Sequence, residues 1–213
     1  MKQTQSKPYL IGLSGGIASG KSSCVSFLQA KGLHCIKLDD FVKDVVYADP
    51  KIKKELKLLF GEDLYSPEGQ LSYARLAQRA FKDKASQKKL QALVYPCLLE
   101  KLKDLLVEYE SLAHEQPQDA QDSRDYLLIE AALLDEIPEL MDLCDEIVVI
   151  SCPLKLRRER ALKRGMSAED FDQREALQIS DHERSLLADT LIDNSLGEDE
   201  LKEALEQWWS KHV

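Results

Sequence analysis

The feature that most constrains the fold is a glycine-rich segment that directly follows a short apolar run. Tyr9 to Ser14 is mostly apolar and lies between Pro8 and a pair of glycines, which predicts a buried parallel strand. Residues 15–22 then read G-G-I-A-S-G-K-S, and they match the pattern G-x-x-x-x-G-K-[ST] at every position. Helical spacing begins at Ser22, so the segment joins a predicted strand to a predicted helix.

Such a segment is suited to hold phosphate. Glycines let the backbone wrap around an anion with its N–H groups pointing inward, and the helix that follows adds its positive end. We therefore predict a nucleotide phosphate site formed by Gly15, Gly16, Ile17, Ala18, Ser19, Gly20, Lys21, Ser22 and Ser23. Lys21 is expected to bridge the β- and γ-phosphates of ATP, and the Ser22 hydroxyl to hold Mg²⁺ beside them. The alternative is a turn that only joins a strand to a helix.

The rest of the chain alternates between strand and helix patterns. Further strands are predicted at His34–Leu38, Tyr126–Ile129, Glu146–Ser151 and, more weakly, Thr190–Asp193. Strands that alternate with helices indicate an α/β fold with a doubly wound, five-stranded parallel sheet of the P-loop NTPase type.

One long stretch lacks strand patterns. From Lys51 to Leu112 the apolar residues recur at helical spacing, with a predicted turn at residues 66–69 and a kink or break expected at Pro96. We interpret residues 48–113 as a helical insertion that binds the acceptor. Residues 1–47 and 126–213 would form the nucleotide-binding core, and residues 114–125, without large apolar side chains, an exposed connection.

Charge and composition exclude several kinds of partner. The chain has 38 acidic and 29 basic residues, so its net charge of −9 opposes binding to nucleic acid or to an anionic membrane surface. The polar segment Met1–Pro8 and the lack of a long apolar run predict a cytoplasmic protein, which we expect to be a monomer or a weak homo-oligomer. Five cysteines without a C-x-x-C pair suggest neither a disulfide framework nor a zinc site.

The phosphate motif alone admits kinases, GTPases and mechanical ATPases. The sequence has no N-K-x-D or T-K-x-D segment, and no predicted strand is followed by D-x-x-G, which disfavours a GTPase. Residues 11–22, I-G-L-S-G-G-I-A-S-G-K-S, are similar to the segment I-G-L-T-G-G-I-G-S-G-K-S of the dephospho-CoA kinase family, and differ from it at Ser14 and Ala18. The chain thus resembles a P-loop kinase of the nucleoside-monophosphate-kinase-like type.

A second resemblance concerns the catalytic base. Residues 37–43, K-L-D-D-F-V-K, are similar to the family segment D-A-D followed by an apolar pair and a basic residue, with Lys37 in place of the first aspartate. The resemblance implies that Asp39 orients the acceptor hydroxyl and accepts its proton, and that Lys43 helps to bind the acceptor. Asp40 competes with Asp39 for the role of base, and either aspartate also suits the cap of the next helix.

Three more segments resemble the acceptor-binding parts of the family. Residues 71–81 carry Arg75, with Tyr73 where an arginine is usual; residues 93–96 read L-V-Y-P, with Tyr95 for a histidine; and residues 132–136 read A-L-L-D-E, without the usual proline. The resemblance implies acceptor contacts for Arg75, Tyr95, Leu133, Leu134 and Glu136. Glu130 or Glu136 is a candidate to hold a metal ion through water, and a structural or capping role is the other interpretation of Glu130.

The family also places arginines before a mobile helical lid. Arg160 and Arg164 match those positions, which implies a clamp on the phosphates and a lid over about residues 164–187. Arg157 and Arg158 belong either to this function or to a solvated helix face. Residues 178–194 are similar to the family pattern Q-x₅-R-x₃-A-D-x-x-I-D-N, and Asp193 and Asn194 are expected on the adenine side of ATP.

Taken together, the resemblance implies transfer of the γ-phosphoryl group of ATP to the ribose 3′-hydroxyl of dephospho-CoA, which yields coenzyme A. Lys21, Asp39, Arg160 and Arg164 would be the catalytic residues. The alternatives are another small-molecule kinase, acting on a nucleoside or nucleoside monophosphate, and a nucleotide-binding module that transfers no phosphate.

Overall fold

The computed structural model describes residues 7–113 and 126–212, so the connection predicted at residues 114–125 lies outside the described residues. The chain forms two compact units. Among the described residues, the sheet unit comprises residues 7–37 and 126–212, and the helical unit comprises residues 38–113. The second unit begins at Leu38, earlier in the chain than position 48, where the sequence patterns placed the insertion.

The sheet unit contains five parallel strands. They are β1 (Tyr9–Gly15), β2 (His34–Lys37), β3 (Tyr126–Glu130), β4 (Glu146–Ser151) and β5 (Thr190–Asp193). Their order in the sheet is β2-β3-β1-β4-β5, and every neighbouring pair is parallel. The doubly wound, five-stranded parallel sheet is therefore confirmed. The strand order reverses around β1, and in such sheets ligands bind at the carboxyl ends of the strands where the order reverses.

One helical layer covers a face of this sheet. Its helices are α1 (Lys21–Ala30) and α10 (Glu198–Trp209), and the remaining helices of the unit are α6 (Pro138–Met141), α7 (Leu154–Lys163), α8 (Ala168–Glu175) and α9 (Asp181–Leu186). Ile11 and Leu13 of β1 pack with Leu28 of α1 and with Leu205 and Trp208 of α10 in one buried cluster. Burial contributes about 1.5–3 kcal/mol for each large apolar side chain, so this cluster fixes α1, and with it the glycine-rich segment, on the sheet.

At the amino ends of the strands, Glu146 ties α10 to β4. This buried carboxylate accepts hydrogen bonds from Thr190 Oγ1 at 2.7 Å and from Trp208 Nε1 at 3.0 Å, and it lies 2.8 Å from Nε2 of His212. Burial alone would raise the pKa of Glu146, but these hydrogen bonds outweigh it and hold the pKa below its ordinary value.

The helical unit contains α2 (Leu38–Phe41), a π-helix (Val42–Val46), α3 (Pro50–Phe60), α4 (Tyr73–Ala80) and α5 (Lys84–Ala113). Asp49 caps α3 by accepting from the N–H of Lys51 at 2.9 Å, with Pro50 at the first helical position. The predicted turn is confirmed by the bond from Gly69 N to Ser66 O at 2.9 Å.

Two predicted boundaries differ from the structure. Leu38, predicted as the end of β2, starts α2 instead. Of the kink or break predicted at Pro96, the break does not occur, because α5 is a single helix of 30 residues that contains this proline. Leu90, Val94, Leu98 and Leu102 are buried along α5, and their packing offsets the one hydrogen bond that proline removes. Within residues 7–113 and 126–212, no helix has both the length and the apolar character needed to span a bilayer.

Candidate active site

The glycine-rich segment forms a compact turn between β1 and α1, which we call the phosphate loop (residues 15–23). Ser19 N donates to Gly16 O at 3.0 Å, and Gly20 precedes α1 with a positive φ of 114°. Ala18 has a φ of 60° and is the one non-glycine residue with positive φ in the described part of the chain. A left-handed conformation costs an L-residue about 1–2 kcal/mol, so the loop holds Ala18 under strain.

Lys21 lies folded against the beginning of the phosphate loop. Its Nζ donates to Gly15 O at 2.8 Å and to Gly16 O at 3.4 Å, and it lies 4.0 Å from Oε1 of Glu130. Glu130 is the last residue of β3 and is in register with Leu13 of β1. The carboxyl edge of the sheet therefore brings an ammonium and a carboxylate together beside the loop. Ser22 and Ser23 are exposed in the first turn of α1.

Asn194 contacts the phosphate loop directly. Its Nδ2 donates to Ser19 O at 2.7 Å, and the residue is only 5% exposed. A Cβ atom at Gly20 would lie 2.1 Å from this nitrogen, so the position admits no larger residue without displacing Asn194. Asp193 instead binds Ser195, through its backbone N at 3.1 Å and its Oγ at 2.6 Å. The expected contact of both residues with adenine stays a prediction.

Arg157 is buried beside the loop, so a solvated helix face does not describe it. The residue is 1% exposed, and its guanidinium donates to both carboxylate oxygens of Glu175 at 2.6 and 2.9 Å and to Asp181 at 2.9 Å. It also donates to Cys152 O at 3.0 Å and to Ile17 O at 3.4 Å. Burial alone would lower the pKa of Arg157, but the two carboxylates outweigh it and raise the pKa. Arg158, by contrast, pairs with Asp172 at 3.2 Å in an exposed ion pair.

Gln178 is a second loop contact that sequence reasoning missed. It follows α8, within the segment predicted as the lid, and its Oε1 accepts from Ile17 N at 2.9 Å. The two residues are 161 positions apart, so no local pattern pairs them. The only available signal was that residue 178 opens the family-like stretch that ends at Asn194.

A cavity of about 430 Å³ lies next to Gly20 of the phosphate loop. It is lined by Gly20, Ser23, Arg160, Lys163, Arg164, Asn194, Glu198 and Leu201. Nη1 of Arg160 donates to Sγ of Cys152 at 3.2 Å. This contact places the guanidinium of Arg160 next to the end of β4. The sheet unit thus brings both predicted clamp arginines to a cationic cavity at the phosphate loop.

The segment after β3 is partly buried. Leu134 is 1% exposed and lies against Gly12, whereas Leu133 and Glu136 are half-buried at the surface of the sheet unit. Any acceptor contact in this segment is therefore more accessible through Leu133 and Glu136 than through Leu134.

The remaining predicted site residues belong to the helical unit. Asp40 pairs with Lys43 at 3.3 Å, whereas Asp39 is exposed in the first turn of α2. Arg75 Nη1 donates to Asp63 O at 2.6 Å, and Tyr95 is half-buried in α5. These positions do not by themselves test the predicted acceptor contacts.

Aromatic residues of the same unit lie near Asp39. The rings of Tyr47 and Tyr73 are 6.1 Å apart between centroids. Burial raises the pKa of Tyr47 to about 12, with smaller contributions from Tyr73, Tyr65 and the charge of Asp39. Tyr73, which stands where the family has arginine, therefore belongs to an aromatic group on the side of the unit that carries Asp39.

A phosphate loop after the central strand of a five-stranded parallel sheet, with an arginine-lined cavity beside it, defines a P-loop kinase. The protein-family model described as dephospho-CoA kinase matches residues 9–200. The dephospho-CoA kinase of Chlorobium luteolum is 32% identical over 205 residues, which cover 94% of this chain and 89% of that protein. The chain belongs to the dephospho-CoA kinase family.

Solved structures share the fold. A Thermus thermophilus protein superimposes with a TM-score of 0.75 and 25% identity, over 98% of this chain and 100% of that one. The dephospho-CoA kinase from Campylobacter jejuni superimposes with a TM-score of 0.69 and 18% identity, over 95% of this chain and 96% of that one.

Proposed function

We propose that the protein transfers the γ-phosphoryl group of ATP to the ribose 3′-hydroxyl of dephospho-CoA and releases coenzyme A and ADP. The observation that carries this proposal is the position of Lys21, inside a phosphate loop and beside Glu130, in a chain that matches the family over residues 9–200. ATP is accordingly the phosphoryl donor. A cytoplasmic location and a monomeric or weakly associated state stay predictions.

Catalysis requires positioning and charge stabilisation more than covalent chemistry. The acceptor oxygen attacks the γ-phosphorus, the bond from that phosphorus to the oxygen of ADP breaks, and Asp39 takes the proton of the acceptor hydroxyl. The Lys21 ammonium and N–H groups of the phosphate loop bind the β- and γ-phosphates, except the N–H groups of Ile17, Ser19 and Ser23, which the protein itself engages. Arg160 and Arg164 each offer a planar fork to the oxygens of the transferring and leaving phosphates.

The residues at the loop fit Mg²⁺. Among the described residues, no group of three or more His, Cys, Asp or Glu side chains is arranged to hold a metal ion. Mg²⁺ keeps several waters and binds through one or two protein oxygens plus substrate phosphates. The exposed Ser22 hydroxyl and the Glu130 carboxylate would hold the ion, which when bound neutralises charge on the β- and γ-phosphates.

The helical unit is proposed to bind the acceptor through Asp39, Lys43, Arg75 and Tyr95, with Leu133 and Glu136 contributing from the sheet unit. Leu134 is 1% exposed, so we propose that it holds the backbone of Leu133 and Glu136 in place by packing in the core. Asp39 is favoured over Asp40 as the base because Asp40 is already paired with Lys43.

The test is to incubate the protein with Mg-ATP and dephospho-CoA and to measure the mass of the acceptor. A product that gains one phosphoryl group at the 3′-oxygen is expected. Adenosine, AMP and other nucleoside monophosphates serve as competing acceptors in parallel reactions. Phosphorylation of one of these but not of dephospho-CoA would identify another small-molecule kinase, and ATP binding or hydrolysis without transfer would identify a non-transferring nucleotide-binding module.

A further inference from the structure

Three side chains bind the backbone of the phosphate loop from outside. Gln178 accepts from the N–H of Ile17 at 2.9 Å, and Arg157 donates to the C=O of the same residue at 3.4 Å. Asn194 donates to the C=O of Ser19 at 2.7 Å. All three come from the part of the sheet unit that follows β4, and none belongs to the glycine-rich motif.

These bonds determine which way the peptide groups of the loop face. The carbonyls of Ile17 and Ser19 are engaged by outside donors. The N–H of Gly20 shares a peptide group with the C=O of Ser19, so it faces away from Asn194. A peptide that flipped would turn a carbonyl oxygen toward the phosphates and remove an N–H donor. Because glycine-rich backbone flips easily, such contacts maintain the anion-binding form of the loop.

Arg157 is itself held in place by the lid segment. Glu175 of α8 binds it through two oxygens, and Asp181 of α9 binds its second terminal nitrogen. The guanidinium also packs directly on the loop, since a Cβ atom at Gly16 would lie 2.5 Å from its Nη1. The position of α8 and α9 therefore determines where this arginine contacts the loop.

We propose that Arg157, Gln178 and Asn194 are positioning residues that preorganise the phosphate loop, and that the lid segment sets the affinity for nucleoside di- and triphosphates through Glu175 and Asp181. The inference rests on the proposed function for the donor nucleotide and is independent of the acceptor. It also gives the lid segment a role before the nucleotide binds, in addition to the predicted closure over the phosphates.

The first experiment is a calorimetric titration of the Gln178→Leu variant with ADP. Leucine has a similar size but accepts no hydrogen bond, so the Kd for ADP is expected to rise about tenfold, with the KM for ATP following it and the KM for dephospho-CoA unchanged. Gln173→Leu is the matched control, because Gln173 is exposed on α8, where its side chain hydrogen-bonds with Glu169 of the same helix. Wild-type affinity for ADP in Gln178→Leu would overturn the role of Gln178.

Amide hydrogen exchange of Ile17 distinguishes loss of this one contact from a general loss of stability, which would speed exchange at many amides. The N–H of Ile17 is expected to be protected in the nucleotide-free wild type and in Gln173→Leu, and to exchange faster in Gln178→Leu, while the amides of β4 are unchanged. Equal exchange of Ile17 in all three proteins would contradict the proposed contact.

The second experiment separates the role of Arg157 from its contribution to folding. Arg157→Met alone leaves the carboxylate of Glu175 without this guanidinium, whereas Asp181 keeps its ion pair with Arg184 at 3.0 Å, and the substitution is expected to destabilise the protein. The double variant Arg157→Met, Glu175→Gln removes both charges of the first pair and leaves the ion pair of Asp181 with Arg184 in place, so its Tm should recover toward that of the wild type while its Kd for ADP stays about tenfold higher. Arg158→Met is the control, because Arg158 pairs with Asp172 on the surface.

The outcomes distinguish this inference from the proposed function. A folded double variant that binds ADP as tightly as the wild type would overturn the role of Arg157, whatever the enzyme phosphorylates. A wild type that binds ADP but does not phosphorylate dephospho-CoA would overturn the proposed function, but it would not contradict the role of the loop contacts in nucleotide binding.

Discussion

Ala18 adopts a left-handed backbone conformation at a position where the family motif has glycine. Its φ of 60° is maintained by the loop on both sides, including the bond from Ser19 N to Gly16 O. The small Cβ of alanine tolerates this conformation at a cost of about 1–2 kcal/mol, whereas a branched side chain would suffer more. Ala18 is therefore a position where the loop stores strain.

We expect Ala18→Gly to stabilise the protein. Relief of about 1–2 kcal/mol of strain exceeds the roughly 0.4–1 kcal/mol that glycine adds to the entropy of the unfolded chain. A net gain of about 0.5–1 kcal/mol corresponds to a rise in Tm of about 1–4 °C. Ala18→Val is the contrasting variant and should lower Tm. A Tm that falls in Ala18→Gly would show that the alanine is not strained.

We expect Asp39→Asn to lower kcat by about two or more orders of magnitude with little change in Tm. An amide accepts no proton from the acceptor hydroxyl, and general base catalysis typically contributes 10²–10⁴-fold. Asp40→Asn is the control, because Asp40 pairs with Lys43 at 3.3 Å in an exposed ion pair of small energetic value. If steady-state kinetics show the larger loss of kcat in Asp40→Asn, then Asp40 and not Asp39 is the base.

For single residues, the sequence predicted the position of those that belong to a local motif. Lys21 and Ser22 belong to a contiguous pattern, so their position at the start of α1 was predictable. Arg157 was left open because its contacts with Ile17 and Asp181 depend on tertiary structure. Burial of an arginine among two carboxylates has no signature in linear spacing, which is why the loop contacts appeared only in the structure.

The packing of α10 against the sheet depends on the carboxylate of Glu146. Glu146 at the start of β4 binds Trp208 of α10 and Thr190 of β5, so a single side chain connects two strands and the terminal helix. Removal of this carboxylate would leave buried donors without an acceptor, and unsatisfied buried donors cost more than the net value of a hydrogen bond.

We expect Glu146→Gln to destabilise the protein by about 2 kcal/mol at pH 7 and to lower Tm by about 4–8 °C. The pKa of Glu146 is lower in the folded state than its ordinary value of 4.5, so its ionisation stabilises the fold above that pH. This contribution is lost as the pH falls through the folded-state pKa. The difference in Tm between wild type and variant should therefore shrink in acid, and a difference independent of pH would exclude this role.

At the level of elements, apolar runs predicted the strands better than local rules predicted helix ends. All five strands were predicted, and for β1, β3 and β4 the reason is that a buried parallel strand needs a continuous apolar run. The edge strands β2 and β5 are short and partly exposed, and their sequence patterns were correspondingly weaker. The end of β2 and the continuation of α5 through Pro96 were not predicted, because Leu38 and the buried face of α5 are positioned by tertiary packing that overrides local preference.

At the scale of the whole molecule, the residues predicted to bind the donor and those predicted to bind the acceptor belong mostly to different units. The phosphate loop and the cationic cavity belong to the sheet unit, whereas Asp39 and Arg75 belong to the helical unit. The net charge of −9 would repel nucleotides, so the local cations of the cavity must offset it. The sequence predicted this division in outline, but it placed the boundary within the helices that follow β2.

We expect each substrate to protect a different unit from amide exchange. Saturating ADP should slow exchange at residues 15–23 and at the cavity-lining end of α7, and dephospho-CoA should slow exchange in α2 and α4. Exchange measured by mass spectrometry with each ligand alone checks this prediction. Protection of α2 and α4 by ADP alone would contradict the proposed assignment of donor and acceptor.

Burial of the cysteines has a consequence for the chemistry of this family. Burial raises the pKa of Cys24 to about 12, of Cys35 to about 11 and of Cys144 to about 12, and it raises the pKa values of Cys97 and Cys152 as well. Only a thiolate attacks a disulfide, so raised pKa values make these side chains less reactive toward disulfides at neutral pH. Dephospho-CoA and coenzyme A both end in a thiol that oxidises to disulfides. An enzyme that handles them in quantity is thereby protected from being captured as a mixed disulfide with its own substrate or product.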